Sequence, residues 1–160
     1  MNWSTQGANR QSKTQGFTGV QTVPATILLV EDEPAVRMVT REALELAGYN
    51  VLEADGPAAA VRIAGGGTTA IDLLLTDMIM PGMNGAELAR TVRQRRPTLV
   101  TLFMTGYADS EALRLATVEF KRKHIQKPFT VHGLLARVAE ALASRWNGEE
   151  DQQSPQHPSP

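Results

Sequence analysis

Ile27-Leu28-Leu29-Val30 is an unbroken apolar run of strand length that ends in Glu31-Asp32-Glu33-Pro34. A strand with no polar alternation has to be covered on both faces, the condition of a central strand in a parallel sheet. Val36, Val39, Ala43, Leu46 and Ala47 follow at near-helical spacing, and Gly48 stands where a helix C-cap would stop the pattern. Further strand-like runs come at Asn50-Val51-Leu52-Glu53, Ile71-Asp72-Leu73-Leu74-Leu75-Thr76, Leu99-Val100-Thr101-Leu102-Phe103-Met104 and, more weakly, His124-Ile125-Gln126. Helices are expected to start between them near Pro57, Asn84, Asp109 and Phe129. Five strands alternating with five helices over about 120 residues predict an α/β fold, a doubly wound parallel sheet, because right-handed crossovers place helices on both faces.

In such sheets the chemistry lies where loops leave the carboxyl ends of the strands. The candidates are therefore the polar residues that close the apolar runs: Glu31, Asp32, Asp77, Thr105 and Lys127. If the first and third strands are neighbours, Asp32 and Asp77 meet at one edge. Carboxylates a few ångströms apart repel, so such a site either raises one pKa or takes up a cation. Oxygen donors without His or Cys favour Mg2+, which keeps waters and uses one or two carboxylates plus a phosphate oxygen.

Each residue has a plainer reading when taken alone. Asp32 can be the N-cap of the first helix, with Pro34 in its first turn. Asp77 can be a loop carboxylate, Thr105 an ordinary strand-end threonine and Lys127 a solvated lysine. The four together are harder to dismiss. A hydroxyl at Thr105 can reach a phosphoryl oxygen, with Gly106 beside it allowing close approach. Pro128 biases Lys127 toward an extended conformation that aims its ammonium across the strand ends.

Composition narrows the rest. At 160 residues the chain suits one domain with spare tails. Lys and Arg total 16 against 17 Asp and Glu, leaving no global field to draw it onto nucleic acid or an anionic membrane. The absence of cysteine excludes disulfides and thiolate sites. No apolar run approaches the roughly 20 residues that span a bilayer, and no secretory signal opens the chain, so a cytoplasmic protein is expected. Residues 1–24, rich in Gln, Gly, Ser and Thr, and the acidic, proline-rich residues 147–160 are expected to be disordered tails around a domain at 25–146.

Several other motifs are discounted. Gly65-Gly66-Gly67-Thr68-Thr69 lacks the Gly-Lys-Ser/Thr ending of a phosphate loop and reads as a flexible connection. Lys121-Arg122-Lys123-His124 reads as protection of a sheet edge. Met78, Met80 and Met83 are either packing filler or a flexible contact for a partner.

The site pattern resembles the receiver domain of two-component response regulators. The shared features are Glu31-Asp32 after the first strand and Asp77 with Met80-Pro81-Gly82-Met83-Asn84-Gly85 after the third. Thr105 after the fourth strand and Lys127-Pro128-Phe129 after the fifth complete the match, which covers about Thr26 to Arg145. The resemblance implies a flavodoxin-like, CheY-like fold: a five-stranded sheet in the order 2-1-3-4-5 with five helices. It implies that Asp77 takes a phosphoryl group from phosphohistidine on a sensor histidine kinase or a histidine phosphotransfer protein. Mg2+ would be held by Asp32, Asp77, Glu31 through water and the backbone carbonyl of Ile79. Lys127 and Thr105 would hold phosphoryl oxygens, and the Lys127-Pro128 peptide would be cis. Signalling would repack the face of the fourth helix, fifth strand and fifth helix. Thr105 would move inward, and His124 stands where many family members carry a switching aromatic.

Ile79 and Tyr107 are bulky for positions that flank an attacking water, so slow self-dephosphorylation is expected. No output domain is expected after the fifth helix, and output would be docking on a target protein or relay of the phosphoryl group. The Thr-Gly-Tyr and Gln-Lys-Pro-Phe stretches look similar to receivers attached to hybrid sensor kinases, which favours a relay or kinase-feedback role. Such a protein is a switch and not an enzyme. The competing readings are a receiver-like binding module that works without phosphorylation and a haloacid-dehalogenase-like phosphatase. The latter needs a second Asp two residues past the nucleophile, where this chain has Ile79.

Overall fold

The computed structural model describes residues 23–106 and 123–146. Five strands, β1 (Thr26–Val30), β2 (Asn50–Ala54), β3 (Leu73–Asp77), β4 (Val100–Thr105) and β5 (His124–Gln126), alternate with helices α1 (Pro34–Leu46), α2 (Pro57–Gly65), α3 (Gly85–Arg93) and α4 (Val131–Trp146). The strands form one sheet, all parallel, in the order β2-β1-β3-β4-β5. Both the doubly wound class and the strand order match the sequence-based expectation. The helix predicted from near Asp109 falls outside the described residues. So do both expected tails apart from Val23 and Pro24, together with Tyr107, Lys121 and Arg122.

Alternation along the strands divides the core in two. Leu28, Val30 and Leu74 point to α2 and α3, and Ile27, Leu29, Leu73 and Leu75 point to α1 and α4. All seven are fully buried. Each such side chain stabilises the fold by roughly 2 kcal/mol, and the polar residues of β1 and β3 gather toward the strand ends, at Thr26, Thr76 and Asp77.

Helix boundaries follow local chemistry. α1 begins with Pro34 directly after its N-cap Glu33, and Gly48 beyond it takes φ +91°, a conformation natural to glycine. Asn84 and Glu87 form a reciprocal capping box at the start of α3. The last helix starts at Val131, two residues beyond the expected Phe129. Thr130 explains the shift: its Oγ1 accepts the Gly133 N–H at 3.0 Å, as an N-cap does.

The glycine stretch after α2 leads into β3 at the amino end of the sheet, away from the loops that carry the candidate site, so it serves as a connection. Met78 and Met80 are buried in the core on the α2 and α3 side, and Met83 packs against it. Met78 and Met80 thus fill space in the core, and Met83 is only partly buried.

Candidate functional site

The β1–β3 register pairs Val30 with Thr76, so the next residues along, Glu31 and Asp77, emerge level at the carboxyl edge. Asp32 follows on the crossing into α1. Carboxylate oxygens of Glu31, Asp32 and Asp77 all lie within 4.8 Å of one another. Glu31 and Asp77 are buried while Asp32 is exposed, which leaves one side of the cluster open to solvent. The N-cap of α1 is Glu33, so Asp32 is not held at the helix entrance as a cap.

Lys127 reaches into this cluster from the end of β5. Its Nζ lies 2.9 Å from Glu31 Oε2 and 3.2 Å from Asp77 Oδ2. The remaining carboxylate oxygens also have partners: Glu31 Oε1 accepts the Glu33 N–H at 3.2 Å and Asp77 Oδ1 accepts the Met78 N–H at 2.8 Å. Lys127 is therefore no solvated lysine. The peptide joining it to Pro128 is cis, as expected.

Burial raises the pKa of Glu31 and of Asp77 above the ordinary carboxylate value. Lys127 works against that rise in both, and the neighbouring acids add to it: Asp77 acts on Glu31, and Asp32 acts on Asp77. For Lys127, burial alone would lower the pKa. Its hydrogen bond to Glu31 and the charges of Asp77 and Glu31 prevail and raise it. One ammonium thus stands among three acids, a site with surplus negative charge.

A divalent cation fits that surplus. The donors are all carboxylate oxygens, close enough to share one ion and open on the Asp32 side, which suits a hard ion that keeps part of its water shell.

Thr105 closes β4 and is buried, but its hydroxyl turns toward β5, donating to the Ile125 carbonyl at 3.4 Å. The structure thus gathers Glu31, Asp32, Asp77 and Lys127, and engages Thr105 elsewhere. Ile79, two residues past Asp77, is 53 % exposed. His124 sits on β5 opposite Phe103. Its carbonyl accepts from Arg137 of α4 at 3.3 and 3.0 Å, and its Nδ1 is buried without a hydrogen-bond partner.

Gly85 was legible only as part of a loop pattern, and its packing gives it a reason. Its N–H donates to the Met78 carbonyl at 2.8 Å, and a Cβ there would run into the Asp77 carbonyl oxygen. The start of α3 therefore lies directly against the backbone of Asp77.

Residues 27–139 match the response regulator receiver domain family. The chain is 38% identical over 122 residues to the response regulator receiver protein CpdR of Brucella abortus, covering 72% of this chain and 95% of that protein. It is 37% identical over 118 residues to the sensor kinase CckA of the same organism, covering 74% of this chain and 12% of the kinase. It spans 32% of the cyclic di-GMP phosphodiesterase of Thermotoga maritima, at 30% identity, so the chain is far shorter than several of the relatives it matches. Among solved structures, a response regulator receiver domain protein from Clostridium thermocellum superposes with a TM-score of 0.71 at 28% identity, covering 77% of this chain and 98% of that one. A CheY-like receiver protein from Methanospirillum hungatei gives 0.70 at 27% identity.

Proposed function

We propose, from the premise that this chain belongs to the response regulator receiver domain family, that it is a phosphorylation-driven switch in a two-component phosphorelay. The observation that carries this reading is the meeting of Glu31, Asp32 and Asp77 carboxylates within 4.8 Å, with the Lys127 ammonium between two of them. Asp77 is the phosphoacceptor. Its carboxylate oxygen attacks the phosphorus of a phosphohistidine on a kinase or phosphotransfer protein. A P–O bond forms, the P–N bond breaks, and the histidine leaves with the electron pair and takes up a proton. Mg2+ held by Asp32, Asp77, water-linked Glu31 and the Ile79 carbonyl would neutralise charge on the phosphoryl oxygens.

Lys127 is already within ion-pair distance of Asp77, so it can follow an oxygen of the incoming group with little rearrangement. Thr105 has further to go. Its 3.4 Å bond to the Ile125 carbonyl is long and replaceable, and exchanging it for a phosphoryl oxygen turns the hydroxyl away from β5. The signal then passes to β5 and α4, which Arg137 joins through the His124 carbonyl. Moving such an equilibrium from 1:99 to 99:1 takes about 5.5 kcal/mol of differential stabilisation.

A cytoplasmic relay partner, with a kinase or phosphotransfer protein on one side and an unidentified target on the other, is the setting this reading implies. The likeness to CpdR and to a segment of CckA supports it, and no described helix is long and apolar enough to cross a membrane. Against a dehalogenase-like phosphatase stands Ile79, an apolar side chain where that chemistry needs an acid.

The test is intact mass after incubation with acetyl phosphate and Mg2+, for the unaltered chain and Asp77→Asn, with and without EDTA. One phosphoryl adduct that requires both Asp77 and Mg2+ is the expected result. No adduct, with beryllofluoride also failing to bind, would favour a binding module that works without phosphorylation.

A further inference from the structure

Arg37 lies in the second turn of α1, outside the cluster of acids, yet its Nη1 donates to the backbone carbonyl of Glu31 at 2.7 Å. Its Nε lies 3.7 Å from Glu53 on β2, and Arg41, one turn further on, holds the other oxygen of Glu53 at 3.6 Å. The Glu31 N–H in turn donates to the Ala54 carbonyl at 3.2 Å. The peptide groups on either side of Glu31 are thus fastened, one to β2 and the other, which leads into Asp32, to α1.

We infer that Arg37 is a positioning residue for the divalent cation: it fixes the Glu31-Asp32 backbone so that both carboxylates meet Asp77. The inference rests on the receiver reading and deepens it. Only three residues, Glu31 to Glu33, join β1 to α1, and Asp32 is exposed, with no side-chain hydrogen bond or ion pair among the described residues to set its direction. Its aim therefore depends on the backbone before it. The guanidinium suits this role because one nitrogen takes the carbonyl while another stays near Glu53, an arrangement a single ammonium does not reproduce. A neighbour that orients ligands without touching the ion typically affects affinity by about 10–100-fold.

The experiment compares Mn2+ binding, read from the paramagnetic signal of the free ion, in the unaltered chain, Arg37→Ala and Arg37→Lys. Thermal unfolding without metal is recorded beside it, and binding is measured well below each unfolding temperature. The Mn2+ Kd is expected to rise about tenfold in Arg37→Ala and by less in Arg37→Lys, whose ammonium can still reach the carbonyl. If Arg37→Ala does not fold, a raised Kd in the folded Arg37→Lys carries the same meaning. A lowered unfolding temperature with Mn2+ Kd values within twofold of the unaltered chain would show a structural role alone and overturn the inference. Failure of the unaltered chain itself to bind Mn2+ would overturn the receiver reading and this inference together.

Discussion

The ammonium of Lys127 lies 2.9 Å from Glu31 Oε2, a tighter pairing than its 3.2 Å approach to Asp77. Lys127 is thus shared between an acid that holds it at rest and the acid proposed to react. Lys127→Ala should leave two buried carboxylates without their cation. A fully buried pair broken in this way costs about 3–5 kcal/mol, and the 24 % exposure of the lysine side chain reduces the expectation to about 1–3 kcal/mol in urea unfolding. Phosphoryl uptake from acetyl phosphate should fall at least tenfold, about 1.4 kcal/mol in the barrier. Uptake at the unaltered rate would show that the ammonium does not hold the phosphoryl group.

Metal-free stability should decline as pH rises above the ordinary carboxylate values of 4.5 for Glu31 and 3.8 for Asp77. Burial raises both groups above those values, so until each has lost its proton the folded chain holds more protons than the unfolded chain and loses stability as pH rises. Lys127, also raised, acts at the other end: its contribution is complete below its ordinary value of 10.5 and is lost as pH climbs through the folded value. In EDTA, Asp77→Asn should be more stable than the unaltered chain at neutral pH, because it removes a buried carboxylate from a site with surplus negative charge, and the gap should narrow as pH falls. A gap that does not change with pH would mean that the acceptor carries no such penalty. Mg2+ at ten times its Kd should return about 1.4 kcal/mol to the unaltered chain.

Gly85→Ala tests the approach of α3 to the acceptor. The added methyl meets the Asp77 carbonyl oxygen and the Met78 Cα, and backbone has little freedom to yield. A loss of about 1–3 kcal/mol is expected, with slower phosphorylation in the protein that still folds. An unchanged urea midpoint would mean that the loop yields without cost.

Thr105→Val should separate folding from signalling. The hydroxyl makes a long bond of 3.4 Å, so stability should shift by no more than about 1 kcal/mol. Asp77 should still accept a phosphoryl group, but the accompanying NMR shifts in β5 should shrink. Full-sized shifts would place the switch elsewhere.

Ile79 is 53 % exposed beside the acceptor. Removing its bulk in Ile79→Ala should open the approach of water and shorten the lifetime of the phosphoryl adduct, followed by intact mass after the donor is removed. The unaltered chain should hold its adduct for minutes or longer. Loss within seconds would contradict the shielding assigned to this side chain.

The sequence exposed most of the fold because the strands are so strongly apolar. Ile27 to Val30 had to be internal, and all four are fully buried. Even the weak run at His124 to Gln126 has the bounds of β5. The site was legible where residue type and strand end coincide, as at Glu31, Asp77 and Lys127. It was not legible where a bond depends on which way a side chain turns. Nothing in Met104-Thr105-Gly106 tells that the hydroxyl leans on Ile125. Arg37 reads as one more charged residue of an amphipathic helix until its carbonyl partner is seen. α4 starts at Val131, near the expected Phe129, and Thr130 three positions before Gly133 carries the N-cap signal that fixes the boundary.

β1 and β3, which carry the acids, have a strand on each side, whereas β5 is three residues long and, among the described residues, pairs with β4 alone. Amide protons of the acceptor strand should accordingly exchange with solvent only when the whole domain opens, while those of β5 exchange through small local excursions. The groups proposed to react therefore sit in the slowest-opening part of the molecule, and those proposed to report the reaction sit in a margin that can loosen and close again many times while the centre stays folded.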